Sequence, residues 1–170
     1  MNSSYIYDER GINKLDEKYE DKYFFRKTIP NLIELEIAKI LKSYQHNNIV
    51  EFYNITSEFI DMELLETYET RESIVNLIYK NKPVIKEVMR EVKSFLQNLG
   101  IVYIDWKIDN VGYLNNSYKL FDFDMSGIFD VNTKGWIIPP EAGFNYKTGI
   151  RRQIYDPLKL DNICFENAFH

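Results

Sequence analysis

The stretch YIDWKIDNVGY, residues 103–113, sets Asp105, Asp109 and Asn110 among large apolar side chains. KLFDFDMSG, residues 119–127, repeats the pattern with Asp122 and Asp124. A lone carboxylate is costly to bury, so these groups either end strands and turns or face a common cleft. The segments VGYL and YKLFDF read as two short strands, with NNS between them as a turn. A hairpin of that kind brings Asn110 and Asp122 side by side. Amide and carboxylate oxygens so placed suit a hard cation such as Mg²⁺, whose remaining ligands are water and substrate phosphates. Asp105, ahead of the hairpin, is positioned to accept a hydroxyl proton, and Lys107 to neutralise charge on a phosphate.

Composition narrows the frame around that hairpin. With 170 residues the chain has room for one compact domain or two very small lobes. Hydrophobic residues at 45% and aromatics at 15% exclude a disordered chain. The net charge of −5 argues against a nucleic-acid-binding surface. Cys164 is the one cysteine, so no intramolecular disulfide is possible, and two histidines argue against a zinc site. No run approaches the ~18 apolar residues of a membrane helix, and the opening MNSSYIYDERG lacks an apolar signal core. The expectation is an intracellular, cytoplasmic protein without membrane contact.

Outward from the hairpin, the periodicities alternate between strand and helix. Residues 1–22 are strongly charged and read as a loosely held arm. KYFFRKTI (22–29) is a short β-prone run, followed at Pro30 by a helix through Leu32, Ile33, Leu35, Ile37, Ile40 and Leu41. IVEFYNI and FIDMELL read as two further strands. A short helix near SIVNLIY, a break at Pro83 and a long helix over VIKEVMREVKSFLQNLG follow. In the long helix the apolar stripe reads Val84, Val88, Val92, Phe95 and Leu96, and Gly100 is its stop. Residues 128–160 read as irregular, and PLKLDNICFENAF as a final helix. The expected fold class is α+β in two unequal parts, residues 1–66 and 67–170.

With these residues in order, the chain resembles the protein kinase superfamily. IDWKIDN resembles the catalytic loop H-R-D-x-x-x-x-N, with Asp105 on its aspartate, Lys107 on the lysine two positions later and Asn110 on its metal-binding asparagine. FDFD resembles D-F-G, with Asp122 on the metal-binding aspartate, and IIPPEAG resembles A-P-E, with Glu141 on its glutamate. EIAKILKSYQHNNIVEFY looks like the αC helix and the strand after it. FIDMELLE looks like the strand entering the nucleotide hinge, with Met62, Glu63 and Leu65 lining it. KLDNICF resembles the start of the helix that anchors the C-lobe, with Asp161 on its buried aspartate.

The resemblance implies a kinase-like bilobal fold with a reduced N-lobe and a truncated C-lobe, binding ATP and Mg²⁺. Lys27 falls on the lysine of V-A-I-K, with Glu36 as its partner and Glu34 as second choice. The chain also departs from the pattern. No G-x-G-x-x-G precedes Lys27, and Gly11 is the only glycine before Gly100. Tyr103 and Ile104 replace the histidine and arginine before Asp105, and Asp124 replaces the glycine of D-F-G. Arg151 or Arg152 could stand in for the arginine that pairs with such a glutamate, although each reads more readily as a surface arginine. The implied activity is transfer of the γ-phosphoryl of ATP to a protein serine or threonine hydroxyl. The rivals are a pseudokinase that binds and regulates a partner protein, and a small-molecule phosphotransferase. Such brevity is similar to kinase-like proteins of large DNA viruses and bacterial effectors, where a host partner or second copy would cover the truncated C-lobe.

Overall fold

Alternation along one strand puts Phe24 and Arg26 on one face and Phe25 and Lys27 on the other, and the sheet grows from it. The computed structural model describes residues 6–8, 11–15, 23–28, 30–67, 72–141 and 143–170. Strands β1 (Ile6–Asp8), β2 (Gly11–Leu15), β3 (Tyr23–Thr28), β4 (Phe52–Ile55) and β5 (Phe59–Glu63) form an antiparallel sheet in the order β1-β2-β3-β5-β4. The arm expected over 1–22 is thus corrected in part. Residues 6–8 and 11–15 extend the sheet, while 1–5, 9–10 and 16–22 lie outside the described residues.

Helix α1 (Leu32–Ser43) starts at the Asn31 cap, whose Oδ1 accepts the Glu34 N–H at 2.8 Å. Its buried positions are Ile33, Glu34, Ile37, Ala38 and Leu41, one face at helical spacing. Helix α2 (Glu72–Lys80) is followed by α3 (Lys82–Asn98), with Pro83 inside the first turn of α3 where its missing N–H costs nothing. The buried stripe of α3 is Ile85, Met89, Val92 and Leu96. This corrects the expected stripe: Val84 is exposed, and Val88 and Phe95 are partly buried. Gly100 closes the helix at φ +76°, a conformation that glycine adopts without strain.

After α3 come β6 (Ile101–Val102), a 3₁₀ turn at Ile108–Asn110, and the hairpin β7 (Val111–Leu114) and β8 (Ser117–Leu120). Asn115 and Asn116 turn that hairpin at φ +50° and +61°, the two left-handed positions of a tight primed turn. The segment expected to be irregular instead contains β9 (Gly127–Phe129), β10 (Trp136–Ile138) and helix α4 (Phe144–Arg151). β6, β9 and β10 make a small antiparallel sheet, and α5 (Pro157–Ala168) ends the fold. One continuous apolar core runs from Ile37 and Phe52 through Ile85 and Met89 to Phe165 and Phe169. No helix among the described residues is long and apolar enough to cross a membrane.

Candidate active site

The acidic residues face outward because their neighbours in sequence are driven inward. A column of aromatic rings crosses the core: Phe52 to Phe123 at 6.2 Å, Phe123 to Tyr103 at 5.3 Å, Tyr103 to Trp106 at 4.8 Å and Trp106 to Phe165 at 5.0 Å. Tyr103, Phe123 and Phe165 are fully or almost fully buried. Phe123 therefore places Asp122 and Asp124 on either side of itself, outside the column. Tyr103 and Trp106 flank Asp105 in the same way, and the Tyr103 hydroxyl donates to the Phe121 carbonyl at 2.6 Å, tying the two segments together. Burial pushes the Tyr103 hydroxyl well above its usual pKa, with the charges of Asp122 and Asp105 adding to the effect.

Asp105, Lys107 and Asn110 form one bonded group. Lys107 Nζ lies 2.9 Å from Asp105 Oδ2, and the Asn110 amide donates to the same oxygen at 3.0 Å. Asn110 is buried and Asp105 about three-quarters so, while Asp109 is exposed on the 3₁₀ turn. The residue before Asp105 is strained. Ile104 has φ +47°, which a β-branched side chain rarely adopts. Its N–H donates to Asp161 Oδ1 at 3.1 Å, and its carbonyl accepts from Asn145 Nδ2 at 2.9 Å. Asp161, 1% exposed, also accepts from Trp106 Nε1 and Gln97 Nε2. Burial raises its pKa, and these three donors partly reverse the rise.

A second group forms around Lys27. Its ammonium is 2.8 Å from Glu34 Oε1, 2.8 Å from Asp122 Oδ1 and 3.8 Å from Asp124 Oδ2. The expected partner, Glu36, is not part of it. Glu36 is only partly buried and pairs with Lys39 at 2.6 Å, because it lies across the helix from the buried face. Glu34 shares that face with Ile37, Ala38 and Leu41 and points back toward β3. Burial opposes the charge on Lys27, but Glu34 and Asp122 outweigh it and hold its pKa above the ordinary value. Burial raises the pKa of Glu34, and Lys27 only partly offsets it against the charges of Asp122 and Asp124. Asp124 is likewise raised, by burial and then by Asp122. Three carboxylates thus surround one ammonium, and Glu34 Oε2 is buried with no hydrogen-bond partner.

This donor set fits a hard divalent cation. It offers only oxygens, carries excess negative charge and has an unpaired buried carboxylate oxygen beside it. Among the described residues no three acidic, imidazole or thiol groups converge closely enough to cage an ion alone. Phosphate oxygens and water would have to supply the remaining positions, as Mg²⁺ prefers.

Met62, Glu63 and Leu65 are all buried at the join between the sheet and the helical part. Met62 pairs across β5 with Phe25 and Phe52. The Glu63 carboxylate is taken by Lys119 Nζ at 2.6 Å, which links β5 to β8. Leu65 lies against Gly112: a Cβ there would stand 2.7 Å from Leu65 Cβ and 2.8 Å from its Cδ1. A cavity of about 130 Å³ opens elsewhere, lined by Leu41, His46, Ile49, Val50, Glu51 and Lys119, and touches none of the acidic group. Glu141, Arg151 and Arg152 are all exposed, and no ion pair joins them among the described residues. Neither arginine pairs with Glu141.

Sequence reasoning passed over Asn31, Asn145, Gln97 and Lys119, which hold the acidic segments in place. For Asn31 and Glu34 a signal exists. N-x-x-E directly after a proline is a helix-start pattern that puts Glu34 in the first turn.

No protein-family model matches the chain. The serine/threonine-protein kinase GIN4 of Saccharomyces cerevisiae is 28% identical over 124 residues, covering 68% of this chain but only 10% of that protein. Two crystal structures of the Rad53 kinase domain and SCD2 superimpose on it. The one in complex with AMPPNP does so with TM-score 0.63 and 17% identity, covering 98% of this chain and 62% of that one. The other has TM-score 0.55 and 16% identity over 75% of this chain and 52% of that one. The chain has a protein-kinase-like bilobal α+β fold in reduced form.

Proposed function

We propose that the chain is a minimal protein kinase that moves the γ-phosphoryl group of ATP to a protein serine or threonine hydroxyl with Mg²⁺. The observation that carries this reading is the meeting of Lys27, from β3, with Asp122, ninety-five residues later, at 2.8 Å beside the Asp105–Lys107–Asn110 group. A scaffold needs no such largely buried cluster of one ammonium and three carboxylates, whereas phosphoryl transfer does. Mg²⁺, when bound, neutralises charge on the phosphate oxygens. Asn110 and Asp122 are the residues to hold it, with Asp124 as an added oxygen donor. Lys27, kept in place by Glu34, binds the phosphates of the donor nucleotide, whose base lies along Met62, Glu63 and Leu65. Asp105 orients the acceptor hydroxyl and takes its proton as the new O–P bond forms and the bond to the leaving ADP oxygen breaks. Lys107 offsets the charge that builds on the transferred group.

A protein acceptor is supported by the surface next to Asp105. Helix α4 is anchored there by Asn145 on the Ile104 carbonyl, and its outer face presents Phe144, Lys147, Ile150 and Arg151 to solvent. Thermal unfolding with and without Mg²⁺ and ATP tests the reading, together with transfer of labelled phosphate to serine- and threonine-containing proteins. Stabilisation that needs Mg²⁺ and disappears in Asp122→Asn is the expected result.

One observation favours a second reading, a pseudokinase that binds and regulates a partner protein. Asp8 pairs with Gly11, so only residues 9 and 10 join β1 to β2, too few for a glycine loop over nucleotide phosphates. No response to millimolar ATP with Mg²⁺ would decide for that reading.

A further inference from the structure

We propose that Asn31 is a positioning residue that clamps α1 to the 122–124 segment and so sets the geometry around Lys27. The amide uses both of its ends. Oδ1 accepts the N–H of Glu34, capping α1, and Nδ2 donates to the carbonyl of Asp124 at 2.8 Å, ninety-three residues away. One side chain therefore fixes the helix that carries Glu34 against the segment that carries Asp122 and Asp124. The chain gives it that reach because only residues 29 and 30 separate the end of β3 at Thr28 from Asn31. Asp122 stands at φ +62°, a conformation that must be held from outside. The Asp124 carbonyl, two residues on, is where the hold is applied.

The requirement is specific to a primary amide. Serine caps a helix equally well but is too short to reach the Asp124 carbonyl. Aspartate lacks the donor and would add a fourth carboxylate to the group. The clamp needs no phosphate and no ligand, so Glu34, Lys27 and Asp122 are assembled in the resting chain.

Its consequence for nucleotide binding rests on the phosphoryl-transfer reading; its effect on Lys27 does not. The test uses Asn31→Ser, which keeps the cap and loses the clamp, and Asn31→Ala, which loses both. Without nucleotide, acylation of Lys27 by an amine-reactive ester is followed by mass spectrometry. In Asn31→Ser, Lys27 should react about fivefold faster, the equilibrium worth of one neutral hydrogen bond. Its unfolding temperature should fall only by the roughly 2 to 4 °C that one hydrogen bond is worth in a chain of this size, whereas Asn31→Ala loses the cap too and should fall further. Mg²⁺-ATP affinity should fall by a similar factor in both. Unchanged Lys27 acylation in Asn31→Ser would reduce Asn31 to a helix cap and overturn the proposal. A parent protein that ignores Mg²⁺-ATP would refute the kinase reading alone, since the acylation rates still decide the clamp.

Discussion

Lys27 Nζ stands 2.8 Å from Asp122 Oδ1 and at the same distance from Glu34 Oε1, so a strand, a helix and the segment after the β7–β8 hairpin meet on one ammonium. Removing the cation strands a carboxylate that is 2% exposed. Lys27→Met should therefore cost about 3 kcal/mol of stability, as breaking a buried pair does. Adding Glu34→Gln to it should return more than half of that loss by removing the stranded charge. Chemical denaturation of the two single variants and the double variant measures both effects. Full additivity would mean that the two side chains do not interact.

The excess of carboxylates around Lys27 also predicts a pH dependence. Glu34 has a folded-state pKa above its ordinary value of 4.5, raised first by burial. The folded chain then binds this proton more tightly than the unfolded chain does. Stability from this group consequently falls as pH rises from about 4.5 through the raised value, and is level below and above that window. Glu34→Gln should remove this part of the slope from a plot of unfolding free energy against pH. A plot that keeps its shape in the variant would assign the slope to other groups.

The strained backbone before Asp105 leads to a different kind of variant. Asp161 takes the Ile104 N–H and the Trp106 indole N–H on one oxygen in a buried site. In Asp161→Ala these two donors, and Gln97 Nε2 on the other oxygen, lose their partner, a loss of roughly 3 to 5 kcal/mol. Ile104 at φ +47° would be free to relax, moving Asp105. Under the kinase reading, activity should fall even at temperatures where the variant stays folded. Under the same reading Asp105→Asn is the contrasting case: it should keep Mg²⁺-ATP binding and lose roughly hundredfold or more of phosphoryl transfer for want of a base. Parallel denaturation and transfer assays separate the two.

How much of this was legible in the sequence depended on length and periodicity. The β7–β8 hairpin was readable because its turn is two asparagines between apolar runs, and α3 because seventeen residues carry a clear 3.6-residue period. Lys27 could be placed by its strand, but its partner could not be chosen by counting residues. Glu34 and Glu36 differ only in which side of α1 they occupy, and the helix start at Asn31 decides that. β1 and β2 went unseen because their segment is dense in charge and their order comes from pairing, β2 on β3 and β1 on β2. Helix α4 has eight residues, a glycine before it and Gly149 within it. Its stability comes from tertiary contacts, Asn145 on Ile104 and Gly149 against Leu160, which no local pattern announces.

Gly112 carries the last prediction. Its lack of a side chain lets Leu65 lie flat on β7, and a Cβ would come within 2.7 Å of Leu65 Cβ and 3.3 Å of the Glu66 carbonyl oxygen. Glu66 is itself fixed, exchanging two backbone hydrogen bonds with Tyr113, so the 63–66 segment cannot simply move away. Gly112→Ala should therefore cost about 1 to 3 kcal/mol through overpacking. Leu65→Ala alone should cost about 2 to 5 kcal/mol, because Leu65 is buried and leaves a cavity. In the double variant the 2.8 Å contact with Leu65 Cδ1 is gone while that with Leu65 Cβ remains, so its loss should be somewhat smaller than the sum of the two. A double-mutant cycle by urea denaturation measures this coupling, and strict additivity would mean that Gly112 and Leu65 do not share the space between β7 and the 63–66 segment.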